Sequence, residues 1–152
     1  MIKLIKKLLS LPRLWKAMSN FEGAWDLTSS DRDDEAERLF AEGEALMKKL
    51  PYQYQIMKGY IKFKLEKREE SAIIFKSALK AISADRDLSE DDALYLRAYI
   101  SGPLKVYYQN GIGDIGGEDL TDINAISIEK TSRSIKSKFP CRHHPDWKKY
   151  EV

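Results

Sequence analysis

The sequence predicts an all-α protein built from antiparallel helix pairs. Three observations carry that prediction. Apolar residues recur every three to four positions from Leu14 to Ile100, the period of helices with one buried face. The connections between these stretches are short and marked by Pro, Gly or charged residues, which favours antiparallel neighbours. A shift of 35 residues superposes Phe40 on Phe75, Glu35 on Glu70, Ala24 on Gly59, and Trp25 on Tyr60 and then Tyr95, as a repeated two-helix unit would.

Residues 2–11 place Ile2, Leu4, Ile5, Leu8, Leu9 and Leu11 on one helical side, with Lys3, Lys6, Lys7 and Ser10 on the other. Pro12 is expected to break this helix or to start the next. A second helix over about 14–27 carries Leu14, Met18, Phe21 and Trp25. Thr28, Ser29, Ser30 and Asp31 offer N-cap side chains for a third, expected over 31–50. Asp33, Asp34 and Glu35 in its first turn suit the helix dipole. Its stripe is Ala36, Leu39, Phe40, Gly43, Leu46, Met47 and Leu50, and Pro51 stops it.

Residues 52–66 predict a helix with Tyr54, Met57, Ile61 and Leu65 on one side and Ile56, Tyr60 and Phe63 beside them. The charged turn Glu66-Lys67-Arg68 leads into a helix over 69–83, striped by Ala72, Phe75, Ala78, Leu79 and Ile82. Ser89 ahead of Glu90, Asp91 and Asp92 is a cap for a helix over about 90–101, which Gly102-Pro103 kinks or ends. Gly111–Gly117 reads as a loop, Thr121 caps a weaker helix over about 122–138, and the tail beyond Pro140 reads as irregular. One domain is expected over 1–152. It comprises an amphipathic helix in 1–16, repeat-like pairs in 17–110, a Gly-rich acidic loop in 111–120, and a C-terminal helix with a basic tail in 121–152.

In the segment from Glu69 to Leu79, Ser71, Phe75, Ala78 and Leu79 take the places of a small residue, an aromatic and then Ala-Leu. Ala36, Phe40 and Gly43 take the same places one unit earlier. This pattern resembles the second helix of a tetratricopeptide repeat. The resemblance covers about 18–110 and is weaker after residue 84. It implies a tetratricopeptide-like right-handed solenoid with extra terminal helices, and a protein-binding role; the alternative architecture is a plain helical bundle. The first-helix pattern is represented by Tyr54, Met57 and Ile61, whereas setting Gly59 on its glycine puts Lys58 and Lys62 at core places.

Composition narrows the function. Hydrophobic residues are 43% and charged residues 33% of the 152, which excludes a disordered polyelectrolyte and a polytopic membrane protein. The net charge of +2 is too balanced for a nucleic-acid-coating domain. The single cysteine, Cys141, excludes an intrachain disulfide. Lys6 and Lys7 interrupt the apolar N-terminus, so it is expected to be retained, in a cytoplasmic protein.

No catalytic, cofactor or metal site is expected. Gly111, Gly113 and Gly116 satisfy G-x-G-x-x-G, but no strand precedes them, and Asp114, Glu118 and Asp119 would repel a phosphate. Cys141, His143, His144 and Asp146 are the right residue types for zinc, yet no second ligand pair exists at finger spacing. The paired carboxylates cluster at helix starts, where the dipole explains them.

The candidate partner-binding residues are Trp25, Tyr60 and Tyr95, bordered by Phe21, Ile56 and Phe63, because stacked repeats bring equivalent positions into one row. The expected function is a non-catalytic interaction module: an adaptor, a chaperone-like protein, or a toxin-neutralising immunity protein, whose size it fits. Helix 2–11 is expected to cap the repeats by laying its leucines on the next helix, ahead of lying on an anionic membrane surface or reaching a partner. The alternative function is a peripheral membrane protein held by this helix, with Lys3, Lys6 and Lys7 on anionic headgroups. An enzyme ranks third.

Overall fold

The computed structural model describes residues 2–90, 92–93, 96–97 and 100, with side chains from residue 11 onward. They form α1 (Ile2–Ser29), α2 (Asp33–Glu44), α3 (Tyr52–Lys64) and α4 (Arg68–Ala84). Residues 90, 92, 93, 96, 97 and 100 are also helical, and there is no strand among the described residues. Tyr95, the Gly102-Pro103 kink, the 111–120 loop, the 122–138 helix and the basic tail lie outside the described residues.

The helices pack as pairs, α1 on α2 and α3 on α4, and the pairs meet chiefly through α2 and α3. One apolar core runs through both. Phe21 of α1 stands 4.6 Å from Phe40 of α2 and 4.4 Å from Tyr54 of α3, centroid to centroid, so this aromatic triad joins the pairs. Ile56, Met57, Ile61, Phe75, Ala78 and Ile82 continue the core, and Ile100 closes its far end.

The turns within the two pairs are the same turn. The Arg32 N–H bonds the Leu27 carbonyl and the Asp31 N–H bonds that of Thr28; 35 residues on, Lys67 bonds Lys62 and Glu66 bonds Phe63. These are the two bonds of a Schellman motif, whose residue past the C-cap must be left-handed. Asp31 and Glu66 fill that position with φ 57° and 60°. The helices α2 and α4 then begin at Asp33 and Arg68.

Three local expectations are corrected. Pro12 does not divide the N-terminal helix: α1 runs through it. The proline ring removes one backbone bond, and at Pro12 it sits on the exposed side of α1. The helix expected to reach Leu50 ends at Glu44. Leu46 and Met47 bond back to the Gly43 and Glu44 carbonyls in tight three-residue turns, and Pro51 disfavours a helical Leu50. The Ser and Thr side chains do not cap α2. Ser29 and Ser30 donate back to the Trp25 and Asp26 carbonyls, and the N-cap position belongs to Arg32, with no side-chain cap bond. Ser89 does act as a cap: its Oγ accepts the Asp92 N–H at 3.2 Å.

Candidate functional site

Trp25 and Tyr60 occupy corresponding positions on α1 and α3, and the packing of the pairs brings them together. Their centroids are 6.1 Å apart with planes at 82°, an edge-to-face contact. Tyr60 meets Phe75 in turn, also edge-on, at 5.6 Å. Trp25 and Tyr60 are each half-buried, while Phe75 is fully buried. Tyr60 is therefore braced from within by Phe75, and Trp25 packs on Tyr60.

The rest of the expected row divides. Phe21 and Ile56 have no exposed surface and are corrected to core residues: Phe40 and Tyr54 enclose Phe21, and Ile56 belongs to the same buried cluster. Phe63 is half-buried, with the Arg68 guanidinium carbon 5.6 Å from its ring centroid. Tyr95 lies outside the described residues. Residues 2–11 are helical, and the side chains of Lys3, Lys6 and Lys7 lie outside the described set.

A charged seam runs between α2 and α3. It lines a cleft of about 250 Å³ floored by Phe40 and Ile61. Lys58 Nζ bonds Glu44 at 2.8 Å, and Lys62 Nζ bonds Glu37 at 2.6 Å and Glu70 at 2.7 Å. Lys67 adds a second cation to Glu37 at 2.8 Å. Beyond the end of the cleft, Lys64 donates to the Thr28 carbonyl and pairs with Asp31 at 2.9 Å and Asp33 at 3.2 Å. The lysines of α3 thus hold the first pair's second helix and turn. Hydrogen bonds from Lys62 and Lys67 keep the Glu37 carboxyl below the usual carboxylate range. Burial opposes the charge on Lys62, yet its bonds to Glu37 and Glu70 together raise its pKa. The signal in the sequence is the spacing of Lys58 and Lys62 on one helix against Glu37 and Glu44 on another, which becomes readable only once the helices are paired.

These charges are paired with one another, and the pairs clamp α3 to α2 and α4. Among the described residues no three His, Cys, Asp or Glu side chains converge to hold a metal ion. No described helix is long and apolar enough to cross a membrane. Fold and site together define an all-helical protein of packed helix pairs with a braced aromatic pair at its surface. Comparison of the chain with protein-family models, curated proteins and solved structures finds no match.

Proposed function

We propose that the chain is a non-catalytic protein–protein interaction module of the cytoplasm, with a tetratricopeptide-like right-handed solenoid form, acting as an adaptor, chaperone-like or toxin-neutralising immunity protein. The observation that carries this reading is the contact between Trp25 and Tyr60: repeat-equivalent rings, side by side, each on a half-buried residue. Trp and Tyr dominate the energetics of protein interfaces because they bury large area at a small cost in rotamer entropy. Here that cost is lower still, since Tyr60 already rests edge-on against Phe75 in the free chain. Phe63 with Arg68 extends the same α3–α4 side with an aromatic and a cation.

The test is affinity capture from a native lysate with the wild-type and Trp25→Ala chains side by side. One stoichiometric protein recovered by the wild type and depleted with the variant is the expected result. Undiminished recovery with Trp25→Ala would remove the aromatic pair from the function.

A further inference from the structure

The apolar face of α1 changes sides along its length. From Leu14 onward the helix buries Leu14, Ala17, Phe21, Ala24 and Thr28, one stripe at alternating spacings of three and four. Carried back toward the N-terminus at the same spacings, that stripe reaches Ser10, Lys7 and Lys3. The leucines follow another row: Leu4, Leu8, Leu11 and Trp15, spaced four, three and four. On a helix with 3.6 residues per turn this row lies roughly 130° around from the buried stripe. At the described end of this row Leu11 is half-buried and Trp15 is 72% exposed, and Pro12, Arg13 and Lys16 beside them are also exposed. The first half of α1 therefore has polar residues in register with the domain core and an apolar row in register with an exposed tryptophan.

We propose that this half of α1 lies in the surface of an anionic membrane, with Trp15 and the leucine row in the interface and the lysines among the headgroups. Charge selects the occupant. Lys3, Lys6, Lys7, Arg13 and Lys16 fall within the first 21 residues, and the first acidic residue of the chain is Glu22. Basic juxtamembrane residues are attracted to anionic lipid, and long lysine stems let their charge reach the headgroups from the flank of an apolar face. Tryptophan is favoured at the headgroup level. With Ile2, Ile5 and Leu9 added, apolar positions cover about half the helix circumference, wider than the narrow row of anchors that a peptide-binding groove takes. Residues 2–15 span about 21 Å as a helix, short of the roughly 30 Å hydrocarbon core, so the segment lies along the surface and does not cross it.

The experiment is co-sedimentation of the full chain with phosphatidylcholine vesicles, with and without phosphatidylserine. Binding is expected only with phosphatidylserine and is weakened by salt. Lys6→Glu/Lys7→Glu should weaken it by about 25-fold or more, from roughly fivefold for each lysine lost near the surface. Trp15→Ala should weaken it about tenfold while leaving the melting temperature and helical content unchanged, because the ring is exposed. Equal binding to both vesicle types, or no binding, overturns the proposal. So does vesicle binding that Trp15→Ala leaves intact, and so does binding of the wild type to soluble polyglutamate but not to vesicles, which would assign the face to an acidic polypeptide.

Discussion

Gly59 and Phe75 are in such close contact that a Cβ on the glycine would stand 2.6 Å from Phe75 Cε1. This closeness sets the approach of α3 to α4. Ser71 reinforces it one turn earlier on α4, where its buried Oγ donates to the Gly59 carbonyl at 2.8 Å. The Phe75 ring has little room to retreat, because it is fully buried and Tyr60 sits edge-on against it. In the other pair the corresponding residues are Ala24, Ala36 and Phe40, all buried.

Gly59→Ala should therefore destabilise the fold by about 1–3 kcal/mol, the usual range for overpacking, although alanine at an open helical site would gain about 1 kcal/mol. Urea denaturation followed by circular dichroism reads the difference. A gain in stability would show that the ring yields freely.

Phe40 and Phe75 are equivalent in position and both almost wholly buried. Truncation of either to Ala should cost about 3–5 kcal/mol. A loss under 1 kcal/mol at either site, measured by the same denaturation, would contradict the shared core that joins the pairs.

Glu66→Gly should stabilise the protein by about 0.5–1 kcal/mol. A left-handed backbone costs a non-glycine residue about 1–2 kcal/mol, and glycine returns part of that gain through the entropy of the unfolded chain. Among the described residues Glu66 pairs with Arg68 alone, and its own side chain is exposed, so little is lost with it. Asp31→Gly should gain less, because Asp tolerates this conformation better and Asp31 also receives Lys64. Melting temperatures of the two variants give the order.

The seam between α2 and α3 makes stability depend on pH. The Glu37 carboxyl titrates below its ordinary value because Lys62 and Lys67 bond it. Its contribution is present above the unfolded value, about 4.3, and is lost as pH falls through the lower folded value. Lys62 titrates above its ordinary value, so its contribution holds below about 10.4 and is lost as pH rises through the folded value. Melting temperature should fall on acidification below about pH 4, and Glu37→Gln should flatten that fall. An unchanged acid limb in Glu37→Gln would place the acid sensitivity elsewhere.

Much of this architecture is legible in the residues. Pro51 and the Glu66-Lys67-Arg68 turn mark α3 and α4 to within two residues at each boundary, since apolar period and punctuation agree there. They disagree at Pro12, where punctuation implies a break and the helix continues with the proline ring at solvent. At Leu46, Met47 and Leu50 they agree on a helix running to Pro51, yet that helical spacing persists in a segment that has left the helix and still packs on the core. The aromatic site shows a different limit. Phe21 and Ile56 are 35 residues apart, as are Trp25 and Tyr60, yet only the second pair reaches solvent. A repeat offset makes positions equivalent; exposure depends on what a third element places over them, here Phe40 of α2 against Phe21.

The affinity of Tyr60→Ala for the captured partner, measured beside its melting temperature, tests the interaction reading most directly. Tyr60 touches both Trp25 at the surface and Phe75 in the core, so the two readouts separate its roles. Tyr60→Ala should lose about 1–2 kcal/mol or more in binding, with a loss of stability well below that of Phe75→Ala. Unchanged affinity together with a melting temperature as low as that of Phe75→Ala would make Tyr60 a packing residue and contradict the account.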